Sequence, residues 1–199
     1  MSYTVRGDGV ITADVHMTPG AAELPRMPRF GMELTLPPGF EDLQWFGRGP
    51  HESYWDRQAG ARVGLHAGTV AAQAHPYVRP QETGNKTDVR WMAVRDRRGA
   101  GLLVAGLPHL SVTALHYTTA DLDEGEKKVG RHAGEVPARD FVRLNVDERQ
   151  MGVGGVNSWG PTALPAYSLP YGDYRYRFIL RGLAAGDDAA LVARALRGR

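Results

Sequence analysis

The chain contains no cysteine. That excludes disulfides, a thiolate nucleophile and a Cys-ligated metal, and it fits a reducing compartment. Long apolar runs are missing too. The longest, Gly101 to Leu107, is far too short to span a bilayer, which takes about 20 residues. The first thirty residues carry Arg6, Asp8, Asp14 and Glu23 and lack the apolar stretch of a secretory signal, so a cytoplasmic location without a membrane partner is expected. Net charge is small: 24 Lys and Arg against 22 Asp and Glu leave +2. Such a balance lacks the clustered cations on which nucleic-acid affinity rests. At 199 residues the chain makes one domain, or at most two small ones. It is too short for a (β/α)₈ barrel, which needs about 250 residues. A hydrophobic content of 42% still suffices for a core.

What is abundant is punctuation. Gly (25) and Pro (13) recur at short intervals and cut the chain into short segments. Within them apolar residues alternate with polar ones. Ile11, Ala13, Val15 and Met17 share a face, as do Phe30, Met32, Leu34 and Leu36, then Val142, Leu144 and Val146, then Tyr174, Tyr176, Phe178 and Leu180. Period two predicts half-buried antiparallel strands. Gly101 to Gly106 reads as a strand buried on both faces. The one clear helix is the tail: Asp187 or Asp188 caps Ala189 to Leu196, with Leu191, Val192, Ala195 and Leu196 on one side. The fold class is therefore all-β, a sandwich of two large antiparallel sheets with long loops.

Several short matches carry no chemistry. The seven histidines lack the spacing of a local zinc site. There is no Gly-x-Ser-x-Gly elbow, and Gly152-Val153-Gly154-Gly155 lacks the third glycine of a dinucleotide loop. Arg6-Gly7-Asp8 reads as a turn.

Three richer segments remain. In Trp45 to Arg57, Glu52 and Asp56 could act as an acid/base pair. The simpler reading is that Arg48 and Arg57 neutralise them and pin a long loop. In Tyr77 to Trp91, polar and turn-forming residues suggest an ordered loop. There Glu82 and Arg79 either bind a sugar or an ion, or form a structural pair. In Met151 to Pro161, four glycines free the backbone and the loop presents Asn157, Ser158 and Trp159. A Trp among hydroxyl and amide groups suits a pyranose, whose C–H face lies on the indole. A core Trp closing a strand end fits the residues equally.

Taken in order, Trp-Phe-Gly-Arg-Gly-Pro-His-Glu-Ser-Tyr at 45–54, Tyr-Val-Arg-Pro-Gln-Glu-Thr-Gly-Asn-Lys-Thr-Asp-Val-Arg-Trp at 77–91 and Met-Gly-Val-Gly-Gly-x-x-Ser-Trp at 151–159 resemble one family. It is the C-terminal small-chain domain of the long bacterial β-galactosidases of glycoside hydrolase family 2. The resemblance covers about residues 3 to 182 and implies a β-supersandwich of galactose-mutarotase-like architecture over 1–183, with 184–199 a C-terminal extension forming a short helix. It further implies a domain packed against a catalytic barrel, in an enzyme that hydrolyses terminal β-D-galactosides and assembles as a homo-oligomer. Trp159 would be the galactoside platform, with Ser158 and Asn157 beside it and Glu82 and Arg79 near the active-site mouth. The family's general acid and nucleophile are barrel glutamates, so no catalytic residue is expected in this chain, and the chain alone should be inactive. Magnesium and sodium or potassium would serve the full enzyme, with no cofactor bound by this chain. One departure stands out: two acidic residues usually precede the Ser-Trp, and here they are Val156 and Asn157. Two other readings are a free-standing aldose 1-epimerase-like enzyme, pairing Glu82 with His75 or His109, and a non-catalytic galactoside-binding module.

Overall fold

The structure is a computed structural model and describes residues 1–123, 125, 130–155, 157 and 160–198. Its nine strands are β1 (Ser2–Val5), β2 (Val10–Met17), β3 (Arg29–Leu36), β4 (Phe40–Gly49), β5 (Arg62–Thr69), β6 (Lys86–Asp96), β7 (Gly101–Leu115), β8 (Val142–Gln150) and β9 (Tyr174–Leu183). Among the described residues there are two α-helices, α1 (Thr119–Leu122) between β7 and β8 and α2 (Ala189–Arg197) after β9. No described helix is long and apolar enough to cross a membrane.

The sandwich expected from the alternation is built from one continuous antiparallel ladder. Its main order is β1-β2-β9-β7-β6-β4-β5, with β8 joining β7 to β3. Strand β7 makes the fold possible. Along one edge it keeps β6 as neighbour; on the other it changes partner, pairing Gly101–Leu107 with β9 and Ser111–Leu115 with β8. Pro108 lies in the gap between these ladders, where its missing N–H costs no hydrogen bond. The β9-β2-β1 wing and the β8-β3 wing therefore leave β7 separately and close over one core.

That core takes the faces which the alternation marks. Ala13, Val15, Tyr176 and Phe178 come from one wing, and Val142, Leu144 and Val146 from the other. Leu43, Trp45, Met92, Val94 and Val104 fill the centre. Tyr176 also donates its hydroxyl to the Val146 carbonyl at 3.0 Å, a bond that ties the wings. Within β7, Val104 enters this core while Leu103 and Ala105 enter a second one, so the strand is buried on both faces as expected.

The second core lies under α2. Asp188 caps the helix, accepting from the amides of Ala190 (2.8 Å) and Leu191 (3.1 Å). Its buried face matches the expected one only in part: Leu196 and Val192 face the core, Leu191 and Ala195 do not. Ala189, Ala193 and Leu196 pack on Trp91, Leu103, Ala105, Ile179 and Leu183, whereas Leu191 is 64% exposed and Ala195 is also exposed. Small alanines let the helix approach the sheet closely, a constraint that hydrophobicity alone does not reveal. A second correction concerns 86–91, read as loop but forming the start of β6. Lys86 and Thr87 are polar yet buried: the Lys86 ammonium donates to the Gly84 carbonyl at 3.0 Å and lies 5.3 Å from the Trp45 ring centroid.

The helix face is testable by substitution. Leu196→Ala should cost about 2–4 kcal/mol in urea unfolding, as for a buried leucine. Leu191→Ala should stay within about 0.5 kcal/mol.

Candidate functional site

The three motif segments meet at one end of the sandwich, and carboxylates join them. Glu52 leaves β4 just after the Gly49-Pro50 turn, with only 12% of its side chain exposed. It accepts from the Gly84 amide (2.8 Å) and the Thr83 hydroxyl (3.1 Å), and also from the Tyr77 hydroxyl and the Arg57 guanidinium. Burial pushes its pKa up, but these bonds outweigh burial and hold the carboxyl below the usual range. Beside it, Asn85 is spent on structure. Its amide donates to the Ser53 carbonyl (2.9 Å), and its oxygen accepts from Ser111 (2.9 Å) and Thr113 (3.1 Å).

Asp56 performs the same task for the third segment. It accepts the amides of Val153 (3.1 Å) and Gly154 (2.7 Å). A Cβ on Gly152 would lie 2.5 Å from the Asp56 carboxylate, so glycine is required there. The Gly152 amide is bonded to the Tyr167 carbonyl (2.8 Å), and the Tyr167 ring meets Trp55 edge-on at 5.7 Å. Arg149 covers Trp55, its guanidinium 4.4 Å from the ring centroid. Ser158, Trp159 and Val156 lie outside the described residues; Asn157 is exposed, just past the anchored stretch.

The acid/base reading of Glu52 and Asp56 thus gives way to loop anchoring, with one change of partner. Arg57 does neutralise Glu52, but Arg48 reaches Asp88 (2.6 Å) and the Ala61 carbonyl (2.9 Å). Pairing of β4 with β6 sets Arg48 beside Asp88, while Asp56 faces backbone amides.

Glu82 also finds a different cation from the expected Arg79, which lies exposed. Its carboxylate pairs with Arg29 of β3 at 2.8 Å, and Arg29 lies 3.5 Å from Asp147 of β8. Sequence reasoning missed both Arg29 and Asp147. The available signal was Gly31: β3 pairs it with Asp147, and a Cβ there would come within 2.5 Å of the Asp147 Cα. Burial pushes Asp147 up to about 7, Arg29 offsets part of that, and the Glu82 charge adds to it. Glu82 is raised as well, chiefly by burial.

Glu82 lines one cavity, His75 a second that shares Tyr117 and Leu122 with it, and His109 a third, and the Glu82 carboxylate is paired with Arg29 rather than with either histidine of the epimerase reading. Among the described residues no group of three or more His, Asp or Glu side chains is placed to hold a metal ion.

The same three segments fall inside a match to the family model described as beta galactosidase small chain, over residues 1–180. The chain belongs to the β-galactosidase small-chain family. Similar proteins include a β-galactosidase of Priestia megaterium, 42% identical over 85% of this chain, and one of Lactobacillus delbrueckii subsp. bulgaricus, 37% identical over 85%. A third, from Vibrio cholerae, is 36% identical over 90%. This small-chain sequence spans about 16% of the length of each of these relatives. The family match stops within β9, so α2 lies outside the matched residues.

Two buried carboxylates should titrate in opposite senses. Unfolded Asp has a pKa near 3.9, so folded chain with Asp147 near 7 retains a proton that unfolded chain has lost. The Asp147 contribution therefore falls as pH rises from about 4 to about 7, and Asp147→Asn should flatten that decline in urea midpoints. An unchanged slope would contradict it. Glu52 is depressed, so its contribution is present at neutral pH and lost on acidification. Glu52→Gln should cost about 2–3 kcal/mol at pH 7 and progressively less below pH ~4.

Proposed function

We propose that this chain is the C-terminal small-chain part of an enzyme hydrolysing terminal β-D-galactosides, and that it shapes the substrate pocket without supplying the reacting groups. The observation that carries this reading is the anchored loop. Asp56 fixes Val153 and Gly154, directly before the segment that ends in Trp159. A rigidly held stalk suits a platform, since an indole must lie flat against the sugar's C–H face and lose little freedom on binding. Ser158 and Asn157 would bond sugar hydroxyls.

The carboxylates support a non-catalytic role. Retaining glycosidases set two carboxyl groups about 5–5.5 Å apart across the scissile bond, one to protonate the leaving group and one to attack. Glu52 and Asp56 are committed to donors from neighbouring loops, and Glu82 and Asp147 share one arginine. The acid and nucleophile would come from a barrel domain, as would magnesium and sodium or potassium sites. Val156 and Asn157 leave the platform loop without the usual acidic pair, which favours a neutral ligand. A homo-oligomeric enzyme working in the cytoplasm completes the proposal.

The test uses the full-length enzyme. Trp159→Ala should raise KM for a galactoside by about tenfold, or 1.4 kcal/mol, with the melting temperature nearly unchanged. An unaltered KM with intact turnover would remove the platform role. The chain by itself should release no product from a chromogenic β-galactoside.

A further inference from the structure

Arg29 stands between two acids and bonds one of them. Its Nη2 donates to the Glu82 Oε2 at 2.8 Å. Its Nη1 lies 3.5 Å from the Asp147 Oδ2, and neither of these two atoms has a hydrogen-bond partner. Leaving a buried donor and a buried acceptor unbonded is costly when they lie almost within reach of each other. A proton on Oδ2 accounts for the gap, because a carboxylic O–H would meet the guanidinium N–H donor to donor. Loss of that proton turns Oδ2 into an acceptor, and the contact can close.

The two acids differ in their freedom. The Asp147 side chain is 2% exposed and that of Glu82 is 30% exposed. Asp147 faces Gly31 across the β3–β8 ladder and fills the space where a side chain at 31 would lie, so its carboxyl is fixed. Glu82 ends the five-residue span 78–82. Glu52 pins both flanks of this span, through the Tyr77 hydroxyl and the Thr83 hydroxyl. Between the pins Val78 is 76% exposed, and the Arg29 pair ties Glu82 to β3. Glu82 can therefore reach water, and Asp147 cannot.

Charge counting shows what ionisation of Asp147 does. With Asp147 protonated, Arg29 and Glu82 leave the trio neutral. With both acids ionised it carries one excess negative charge. The surrounding groups supply no second cation. On β3, Glu33 acts on Asp147 but is itself paired with Arg143 at 2.7 Å. On β8, Glu148 pairs with its neighbour Arg149. Tyr176 of β9 lies near Asp147, and β7 sets the neutral Ser111 opposite it. Around Glu82 stand Tyr54, Gln150 and the ionised Glu52. A charge locked in the interior holds a cation more strongly than one that water can screen. The guanidinium therefore goes to Asp147 when that acid ionises, and repulsion falls on the carboxylate that is able to move.

We propose that Arg29 is a pH-controlled latch for the 78–82 span: while Asp147 holds a proton, Arg29 binds Glu82 and docks the span on β3, and when Asp147 ionises, Arg29 turns to it and Glu82 moves into water with its span. The latch is independent of the platform reading of Trp159. Its test is a pH titration of ¹³C,¹⁵N-labelled chain from about pH 5 to pH 9. The Asp147 carboxyl signal should titrate with a midpoint near 7, and the amide signals of Val78, Arg79, Gln81 and Glu82 should shift with the same midpoint. The Ala133 amide, which donates to the Val78 carbonyl at 3.3 Å, should lose about tenfold in protection from exchange above it. In Asp147→Asn the side chain stays uncharged, and the span should remain docked throughout. Should that variant fail to fold, Glu82→Gln removes the competing charge, so the Asp147 midpoint should fall by about one unit and the shared step at 78–82 should vanish. His75 and His132 adjoin the span, the first with its ring 4.4 Å from that of Tyr77 and the second with Nδ1 3.3 Å from the Val78 carbonyl. A step at 78–82 that persists in Asp147→Asn belongs to those histidines and overturns the latch. An Asp147 signal that titrates while the span stays in place overturns it too, as does one with no midpoint in the range or an unmoved midpoint in Glu82→Gln.

Discussion

A buried carboxylate is costly unless donors surround it, and the Glu52 carboxylate draws its donors from two stretches of chain. Arg57 belongs to its own segment, while Tyr77, Thr83 and the Gly84 amide belong to the loop before β6. Once these bonds form, neither loop can shift without leaving a buried charge unpaired. The next residues copy the arrangement, with Ser53 bonded to Asn85 and Thr87. Four residues from Glu52, Asp56 extends it to the Met151–Gly155 loop. The candidate site is thus an assembly of loops held by two acids, on a rigid frame supplied by β4, β6 and β8.

Strand alternation was legible because it reports burial directly. The faces read at Ile11–Met17 and Tyr174–Leu180 supply Ala13, Val15, Tyr176 and Phe178 to the core. The cap at Asp188 was legible because capping is local. Partner choice was not. Glu82 pairs with Arg29, 53 residues away, and Asp56 with amides 97 and 98 residues away. Nearby arginines are poor guides when a fold brings distant strands into register, as β3 and β8 bring Arg29 toward Asp147. The helix face was legible at Val192 and Leu196 but not at Leu191, because close approach to a sheet rewards Ala189 and Ala193 over the larger side chain. The family resemblance was legible because its three motifs are long and ordered, and what they have in common in space is this anchoring network.

Two electrostatic regimes sit side by side at this end of the molecule. Glu52 is saturated with donors and stays ionised, whereas Asp147 and Glu82 share Arg29 and are pushed toward protonation. Both regimes act on the same loops, because Gln150 ends β8 beside Asp147 and leads into Met151. Stability and loop position are therefore linked through β8, and the acids of this domain serve as scaffold in a family whose relatives are glycosidases.

The most direct measurement is amide hydrogen exchange at Val153 and Gly154, in the native chain and in Asp56→Ala. Strong protection at both amides in the native chain, lost on substitution while the amides of β7 and β8 stay protected, is the result expected if Asp56 positions the platform loop. Equal exchange in the two proteins would contradict it and return Asp56 to the list of acids available for chemistry.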